Sequence, residues 1–362
     1  MMSHSFGIVK ATETLKFFED LEIEKKLKLI NKPAVKIIKS IYGERYGCVD
    51  FYKQPGFDHS SMMNHTSFHS KMRMMSLHPE GSKLQRGTLG NKKFGYFWEN
   101  GIGCPNGTVP ILRATKGDLF RLKSFGGENL NPQSSWNNTY EPMSAGSGYH
   151  FAVVRTNGPK SYNGAYMNVR ICTPPVQPNQ RSSARMMIRF GNEFIQAGWT
   201  AGGHACYHTR CPSGAGMIQV RQDFGPGLPL RDKYATLDIA IMKDKSNATW
   251  SLYVAGEEIG YWPSSRFKVS SGTMVEWGGA VYSPPSSPSP MMGTGRFPTG
   301  NPNIDSYIRL ISIVDGDYKE DKTVTNRYSY SDNNHAYKVT DATETFYSYT
   351  GHIIFYGGPG GI

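Results

Sequence analysis

Cysteines and long apolar runs are scarce in this 362-residue sequence, and charged residues make up only 19% of it. Five cysteines are too few for a disulfide scaffold, and no run approaches the roughly 18 apolar residues that a membrane-spanning helix needs. We therefore expect no membrane insertion. The GxSxG, HExxH and GxxxxGK[ST] patterns are missing as well, which argues against the common serine-hydrolase, zinc-peptidase and nucleotide-binding classes.

Glycine, proline and aromatic residues are plentiful, with 40 glycines, 22 prolines and 12% aromatic residues. This composition favours many short strands joined by tight turns over a helical bundle. The apolar fraction of 38% is sufficient for a buried core. The sequence therefore predicts a mostly β protein.

The net charge of +11 comes from scattered basic residues. Pairs such as Lys25-Lys26 and Lys92-Lys93 occur, but no long Lys/Arg run and no aromatic RNA-binding box accompany them. A solvated basic surface explains this pattern better than a nucleic-acid partner, so we expect no nucleic acid to bind.

The chain divides by composition into three parts. Residues 1–123 form an N-terminal module, with an amphipathic helix predicted over residues 12–31 and short apolar pieces after it. Residues 124–148 are rich in Ser, Asn, Gly and Pro and lack any hydrophobic period, which is typical of an exposed linker and processing region. Residues 149–362 form the second domain.

Strand-like segments follow one another through the second domain. Leu237, Ile239 and Ile241 alternate with polar residues, as a half-buried strand requires. Residues 254–259 predict a hairpin, and the low-complexity residues 283–292 predict a loop. Because no helices intervene, the pattern favours an antiparallel β-sandwich or β-barrel.

Two clusters in the sequence contain residue types that can bind a metal ion. His204, Cys206, His208 and Cys211 lie within eight residues, but their spacing matches no standard zinc module. A Cys206–Cys211 disulfide is favoured over zinc. Histidines and methionines between residues 59 and 78 suit Cu(I), yet chance composition explains them better. We expect neither a metal nor another cofactor.

Four aromatic residues are candidates for ligand stacking in a cleft of the sandwich. They are Tyr261, Trp262, Trp277 and Tyr282. Core packing is the competing and favoured interpretation for these side chains. Four N-x-Ser/Thr acceptors for glycosylation occur, at Asn64, Asn106, Asn137 and Asn247, and they matter only if the chain is secreted.

Several long motifs, in order, resemble the neprosin-type peptidases of plants over residues 19–361. GCPNGTVPILRATKGDLFRLKS resembles their activation peptide, while FIQAGW, VEWGGAV, MGTGRFP and the terminal YGGPG resemble their catalytic domain. The resemblance implies a secreted zymogen whose second domain is an antiparallel double-sheet β-sandwich, of the jelly-roll kind. This domain is expected to carry a glutamic-peptidase site that cuts near proline in acid, although no apolar export signal is visible. It also implies a proline-containing peptide or a cell-wall polymer as partner.

The resemblance places the two catalytic glutamates of the family at Gln196 and Ala280. Peptide hydrolysis by such a pair needs one carboxylate to deprotonate water and a second group to polarise the scissile carbonyl. The amide of Gln196 can still polarise the scissile carbonyl. The methyl group of Ala280 can neither accept nor donate a proton. We therefore expect a catalytically impaired, peptidase-like protein.

An active enzyme with a relocated carboxylate is the alternative hypothesis. Glu276 lies on the same strand face as Ala280, but about 13 Å away at strand rise, whereas Glu193 points to the face opposite Gln196. Compared with the family, the segment between Trp199 and Cys206 is short, which predicts a missing part of the cleft wall and an exposed sheet edge. Cys48 and Cys104 are a further possible pair, which leaves Cys172 free.

Overall fold

The computed structural model describes the larger part of the chain. The described residues are 20–25, 27–28, 30–58, 94–119, 148–158, 160–202, 217–230, 235–246, 248–285, 287–342 and 351–362. The linker prediction for residues 124–148 falls outside them, except for Gly148. No helix among these residues is long and apolar enough to cross a membrane.

The N-terminal module combines a helix with a small antiparallel sheet. Helical residues lie within 20–30, as the amphipathic pattern predicts, and Asn31 follows them. The sheet has the order β1-β2-β3. Its strands are β1 (Lys36–Lys39), β2 (Arg45–Asp50) and β3 (Thr108–Leu112). In the described part of the module, 3-10 helices accompany the sheet at Phe51–Lys53, Pro55–Asp58 and Phe94–Phe97.

A five-stranded antiparallel sheet forms one layer of the second domain. Its strands are β4 (Tyr149–Thr156), β6 (Arg181–Phe190), β7 (Glu193–Gly202), β12 (Met274–Tyr282) and β15 (Arg327–Ser331). Their order is β15-β4-β12-β6-β7, so β12 is central and β7 lies at one edge. We call this sheet the site sheet.

The second layer is a nine-stranded sheet, in which β14 pairs with β13 beside the main path. The order along that path is β16-β17-β13-β5-β9-β10-β11-β8. Its strands are β5 (Tyr162–Arg170), β8 (Ile218–Gln219), β9 (Thr236–Lys243), β10 (Thr249–Val254), β11 (Glu257–Pro263), β13 (Ser306–Asp315), β14 (Glu320–Asp321), β16 (Lys338–Ala342) and β17 (Ile353–Gly357). A 3-10 helix, Ser264–Arg266, follows β11.

The core lies between the two sheets and is built from alternate residues of their strands. Val275, Trp277 and Val281 of β12 share one buried cluster with Met167 of β5 and Ile239 of β9. The Trp277 indole N–H also donates a hydrogen bond of 3.2 Å to the Tyr166 carbonyl. Since successive strand residues face opposite ways, the residues between these, such as Glu276 and Ala280, lie on the outer face of the site sheet.

The predicted architecture is confirmed: the protein is mostly β, with antiparallel sheets packed as a sandwich. The predicted hairpin is also present, because β10 ends at Val254 and β11 begins at Glu257. Ala255 and Gly256 both have positive φ, 52° and 79°, which is the signature of the type I′ turn that suits a two-residue hairpin loop.

The N-terminal module packs on the sandwich through strand β8 and the residues that follow it. Val49, Phe51 and Ile111 of the module share a buried cluster with Ile218 and Tyr261. Gln54 exchanges two hydrogen bonds with the backbone of Gln219, at 3.1 and 2.7 Å, and the Trp98 indole donates to the Asp223 carbonyl at 2.8 Å. The module and the sandwich therefore share buried apolar and polar contacts.

Candidate functional site

The outer face of the site sheet carries both positions that the resemblance assigns to catalysis. Gln196 pairs with Met187, which pairs with Glu276, which pairs with Arg155, so these four residues form one row across the strands. Ala280 lies in a different row, between Phe151 on one side and Ser183 on the other. We call these two sets of paired residues the Glu276 row and the Ala280 row.

Gln196 and Ala280 are far apart in this register. They are separated by two strand spacings and by four residues along the strand, which corresponds to about 16 Å between Cα atoms. The two-residue turn of the β6–β7 hairpin fixes this register, since Phe190 pairs with Glu193. Gln196 instead shares its row with Glu276, at about 10 Å between Cα atoms.

Glu276 is fully buried and is held by two arginines. Its Oε2 accepts a short hydrogen bond from Arg155 Nε, and its Oε1 accepts one of 2.6 Å from Arg185 Nη2. Burial alone raises the pKa of Glu276, but Arg185 and Arg155 outweigh it and hold that pKa below its usual range. Glu276 is therefore an ionised carboxylate with both oxygens engaged.

No second acidic side chain shares this face within the described strands of the site sheet. Glu193 of β7 lies opposite Phe190, whose ring is part of the core, so it faces away from Gln196, as predicted. Its Oε2 accepts a hydrogen bond of 2.8 Å from the Lys268 backbone N–H. The described strands of the site sheet therefore place no pair of free carboxylates on this face.

The floor around Ala280 is made of small and aromatic residues. Ala280 packs in a cluster with Phe151 and Val153, against the half-buried Tyr149 and Tyr330. Gly278, two residues before Ala280, has a φ of 147°, and a Cβ there would lie 2.3 Å from the Ala152 carbonyl oxygen. No side chain therefore rises from position 278, beside the Arg185 with which it pairs.

The four predicted ligand-stacking aromatics do not come together. Tyr282 lies on the outer face, 4.7 Å from the Tyr149 ring. Trp277 and Trp262 point into the core between the sheets, and Tyr261 packs against the N-terminal module. Alternation along a strand separates Tyr261 from Trp262 and Trp277 from Tyr282, since each pair has an odd spacing. The assignment of β11 and β12 to different sheets decides which of the four share a face.

The described residues include three of the five cysteines. Cys48 and Cys104 form a disulfide within the N-terminal module, and Cys172 is free and half-buried. Burial raises the pKa of the Cys172 thiol. The predicted Cys206–Cys211 pair, with His204 and His208, lies outside the described residues, as do residues 59–78. Within the described ranges, no group of three or more His, Cys, Asp or Glu side chains is arranged to hold a metal ion.

Of the four glycosylation acceptors, the structure describes Asn106. It is exposed in a turn that follows Cys104. Asn64, Asn137 and Asn247 lie outside the described residues.

The arginines of the outer face are the feature that sequence reasoning missed. Arg181, Arg185 and Arg189 recur every four residues along β6, which puts all three on one face of the strand. Arg155 lies on the same face of the sheet, two strands away. The period-four spacing was visible in the sequence, but the pairing of these arginines with one glutamate required the strand order.

Comparison with known families agrees with this architecture. Residues 191–359 match the family model described as Neprosin, and residues 37–155 match the model described as Neprosin activation peptide. The molecule is thus a β-sandwich protein of a peptidase-like family with an N-terminal activation module. The chain belongs to the neprosin family.

Proposed function

We propose that this protein is a neprosin-family, peptidase-like protein that does not hydrolyse peptides at a useful rate and acts by binding. The observation that carries the proposal is the state of Glu276, the acidic side chain that the described strands of the site sheet place on this face, whose two oxygens are both bound by arginines. A general base must be accessible to water and have an oxygen free to accept a proton, whereas Glu276 is buried and both of its oxygens accept hydrogen bonds from arginines.

The loss of a general base accounts for the size of the expected decrease in hydrolysis rate. Such a group typically contributes about 10²- to 10⁴-fold to the rate, and a cooperative pair contributes more. Gln196 keeps a polar atom, Oε1, that is buried and has no hydrogen-bond partner among the described residues. It supports the binding of a ligand N–H or O–H group but not the deprotonation of water.

An active enzyme that uses Gln196 with Glu276 is the second candidate. The shared row favours it, because two strand spacings leave room for a water molecule above Met187. Both salt bridges of Glu276 would have to open before that carboxylate accepted a proton. This cost makes the second candidate the weaker one.

The proposed division of the chain follows the sheet pairing. From Tyr149 onward the chain belongs to the sandwich, since β4 pairs with both β12 and β15. This supports an N-terminal module over residues 1–123, a processing region over residues 124–148 and a peptidase-like domain over residues 149–362.

We further propose secretion from a plant cell, as the family resemblance implies. The Cys48–Cys104 disulfide supports an oxidising compartment, and the exposed turn position of Asn106 suits a glycan. Mass analysis of the protein from its native tissue, before and after enzymatic deglycosylation, tests both points.

Peptide cleavage tests the proposed function directly. The chain, nicked within residues 124–148, is incubated with proline-containing peptides from pH 3 to 7, and products are identified by mass spectrometry. We expect no cleavage by the wild type. Cleavage that a folded Glu276→Gln protein loses and Glu193→Gln retains would support the second candidate, since Glu193 is the nearby carboxylate on the opposite face. Circular dichroism of Glu276→Gln under the assay conditions establishes that the variant is folded.

A further inference from the structure

One end of the sheet in the N-terminal module carries three basic residues in a row. Lys39 of β1 pairs with Arg45 of β2, and Arg113, which follows β3, donates its backbone N–H to the Arg45 carbonyl at 2.9 Å. Like charges that lie opposite each other on neighbouring strands destabilise a sheet. An anionic partner beside this row would therefore stabilise it.

The described residues offer this row no carboxylate. Lys39 and Arg45 are exposed, and neither forms an ion pair with a described acidic side chain. Glu44, the neighbour of Arg45 in the chain, accepts a hydrogen bond from the Ser40 hydroxyl. Burial and the nearby Arg45 lower the pKa of Arg113, which places the two guanidinium groups close together.

Exposed aliphatic side chains lie beside the basic row. Ile38 of β1 is buried in the core, but Ile37, on the opposite face of the strand, is 40% exposed. Val35 and Ile41, which flank the strand, are 70% and 40% exposed. Neighbouring exposed aliphatic residues of this kind are typical of an interaction surface. We call these three exposed residues and the basic row the β1 surface.

The backbone of β1 provides an open sheet edge. β1 lies at the end of the order β1-β2-β3, so β2 pairs with only one of its sides. On the other side, the Lys39 carbonyl accepts a hydrogen bond of 3.1 Å from the Glu99 backbone N–H. Ile37, two residues earlier, directs its N–H and carbonyl to that same side, and no residue within the described ranges pairs with them. This edge can therefore accept a further strand.

The charges of the β1 surface decide which kind of strand fits. A second copy of this chain, paired antiparallel through the same edge, would place Lys36 of one copy opposite Lys39 of the other. An acidic strand would instead bring carboxylates next to Lys39 and Arg45. Charge complementarity therefore favours an acidic partner over a second copy.

We propose that the β1 surface binds an extended acidic polypeptide segment, which adds a strand at the edge of β1 and places its carboxylates beside Lys39, Arg45 and Arg113. The backbone of Ile37 supplies hydrogen bonds to this strand, and the exposed aliphatic side chains supply an apolar contact. The surface belongs to the N-terminal module and includes no residue of the site sheet. The inference therefore goes beyond the proposed function.

Binding of matched peptides tests the requirement for charge. Fluorescein-labelled Ser-Glu-Val-Val-Glu-Ile-Val-Glu-Ser, which carries acidic and apolar residues on both faces when extended, is titrated with the full chain at neutral pH and low salt. Its Gln counterpart is titrated in the same way. We expect the Glu peptide to bind about fivefold more tightly, the factor that two exposed ion pairs typically supply. Equal affinities, or no binding of the Glu peptide, would overturn the proposal.

Two double variants locate the binding surface. Lys39→Gln plus Arg45→Gln is expected to remove the preference for the Glu peptide. Lys53→Gln plus Lys268→Gln removes the same charge from other exposed positions and is expected to keep the preference. Equal losses in both would show that net charge attracts the peptide, which would overturn the assignment to the β1 surface.

A proline variant tests the added strand separately from the charge. Ile37→Pro removes the outward N–H but keeps the basic row, and an edge strand tolerates proline where the N–H faces solvent. We expect the Glu peptide to bind Ile37→Pro about tenfold more weakly, and Ile37→Val as it binds the wild type. Unchanged binding to a folded Ile37→Pro protein would contradict strand addition.

Hydrogen–deuterium exchange of the wild type tests the same point without a variant. The Glu peptide is expected to slow amide exchange within residues 35–41, and unchanged exchange there would overturn the proposal. Oligogalacturonate and phosphatidylserine vesicles serve as the competing anionic partners. Protection of residues 35–41 by either of these, but not by the Glu peptide, would overturn the assignment to a polypeptide.

Discussion

Gln196 and Glu276 lie in one row of the site sheet, two strands apart, with Met187 between them. The short β6–β7 hairpin produces this alignment, and it separates Gln196 from the Ala280 row. Glu276 in turn is bound by Arg155 and Arg185. The face on which the resemblance places the catalytic positions therefore presents an amide and an arginine-bound carboxylate.

Removing the charge of Glu276 is expected to destabilise the fold strongly. Glu276→Gln removes the carboxylate charge that both buried guanidinium groups bind, and breaking a buried pair in this way typically costs about 3–5 kcal/mol. The free energy of unfolding, measured in urea at pH 7, provides the test. Glu99→Gln, at an exposed position, serves as the control and is expected to change stability little.

The stability difference between wild type and Glu276→Gln is expected to depend on pH. The pKa of Glu276 is lower in the folded state than the value of about 4.3 in unfolded chains, so ionised Glu276 stabilises the fold above that value. This contribution is lost as the pH falls through the folded-state pKa. The difference in stability between wild type and Glu276→Gln should therefore be largest near neutrality and shrink in acid. A difference that grows in acid would contradict the assigned charge state.

The Cys48–Cys104 disulfide is expected to stabilise the N-terminal module. It joins residues 56 positions apart, and the loop-closure model gives about 4 kcal/mol for a loop of that length. Replacing both cysteines with alanine should therefore lower the denaturation midpoint of the module. Cys172→Ser is the control, because that thiol is free in the structure.

Intact mass under non-reducing conditions distinguishes the remaining cysteine hypotheses. One disulfide removes two hydrogens, and a second one at Cys206–Cys211 removes four in total. Stoichiometric zinc in the native protein, with a loss of only two hydrogens, would support the zinc alternative with His204 and His208 instead.

Cutting the linker is expected to leave the module attached. The module shares buried apolar residues with Ile218 and Tyr261, and Gln54 binds the Gln219 backbone. After limited proteolysis within residues 124–148, the two fragments should elute as one species in size exclusion and separate only in denaturant. Fragments that separate at neutral pH in native buffer would contradict this.

A variant of Gln54 sharpens that test. Gln54→Leu leaves the buried Gln219 N–H without its partner, which typically costs about 1–3 kcal/mol. We expect the nicked Gln54→Leu protein to lose its module at a lower denaturant concentration. Lys53→Gln, at the exposed neighbouring position, should behave as the wild type.

The sequence predicted the elements of the sandwich well. Alternation within single strands, such as Leu237, Ile239 and Ile241, places apolar residues on one face, and all three are buried in the core. Gly256 marked the hairpin turn. These features are local, so they can be recognised without knowing which strands pair.

Local patterns could not predict which residues make up the candidate site, because strand pairing determines this. Trp262 and Trp277 face the same core from different sheets, while Tyr282 faces outward. Arg155 and Arg185 meet at Glu276 because β4 and β6 flank β12. Such contacts join residues up to 121 positions apart, so no local pattern reveals them.

Restoring the two family glutamates is expected not to restore cleavage. In Gln196→Glu plus Ala280→Glu, the Cα atoms remain about 16 Å apart, so the two carboxylates do not reach a common water molecule. Thr200→Glu plus Ala280→Glu is the matched comparison, because Thr200 lies in the Ala280 row at about 10 Å. Both variants are assayed on proline-containing peptides from pH 3 to 7. Cleavage by the Gln196 double variant alone would show that β7 pairs with β6 in a different register in solution, because only a shift of four residues brings position 196 into the Ala280 row.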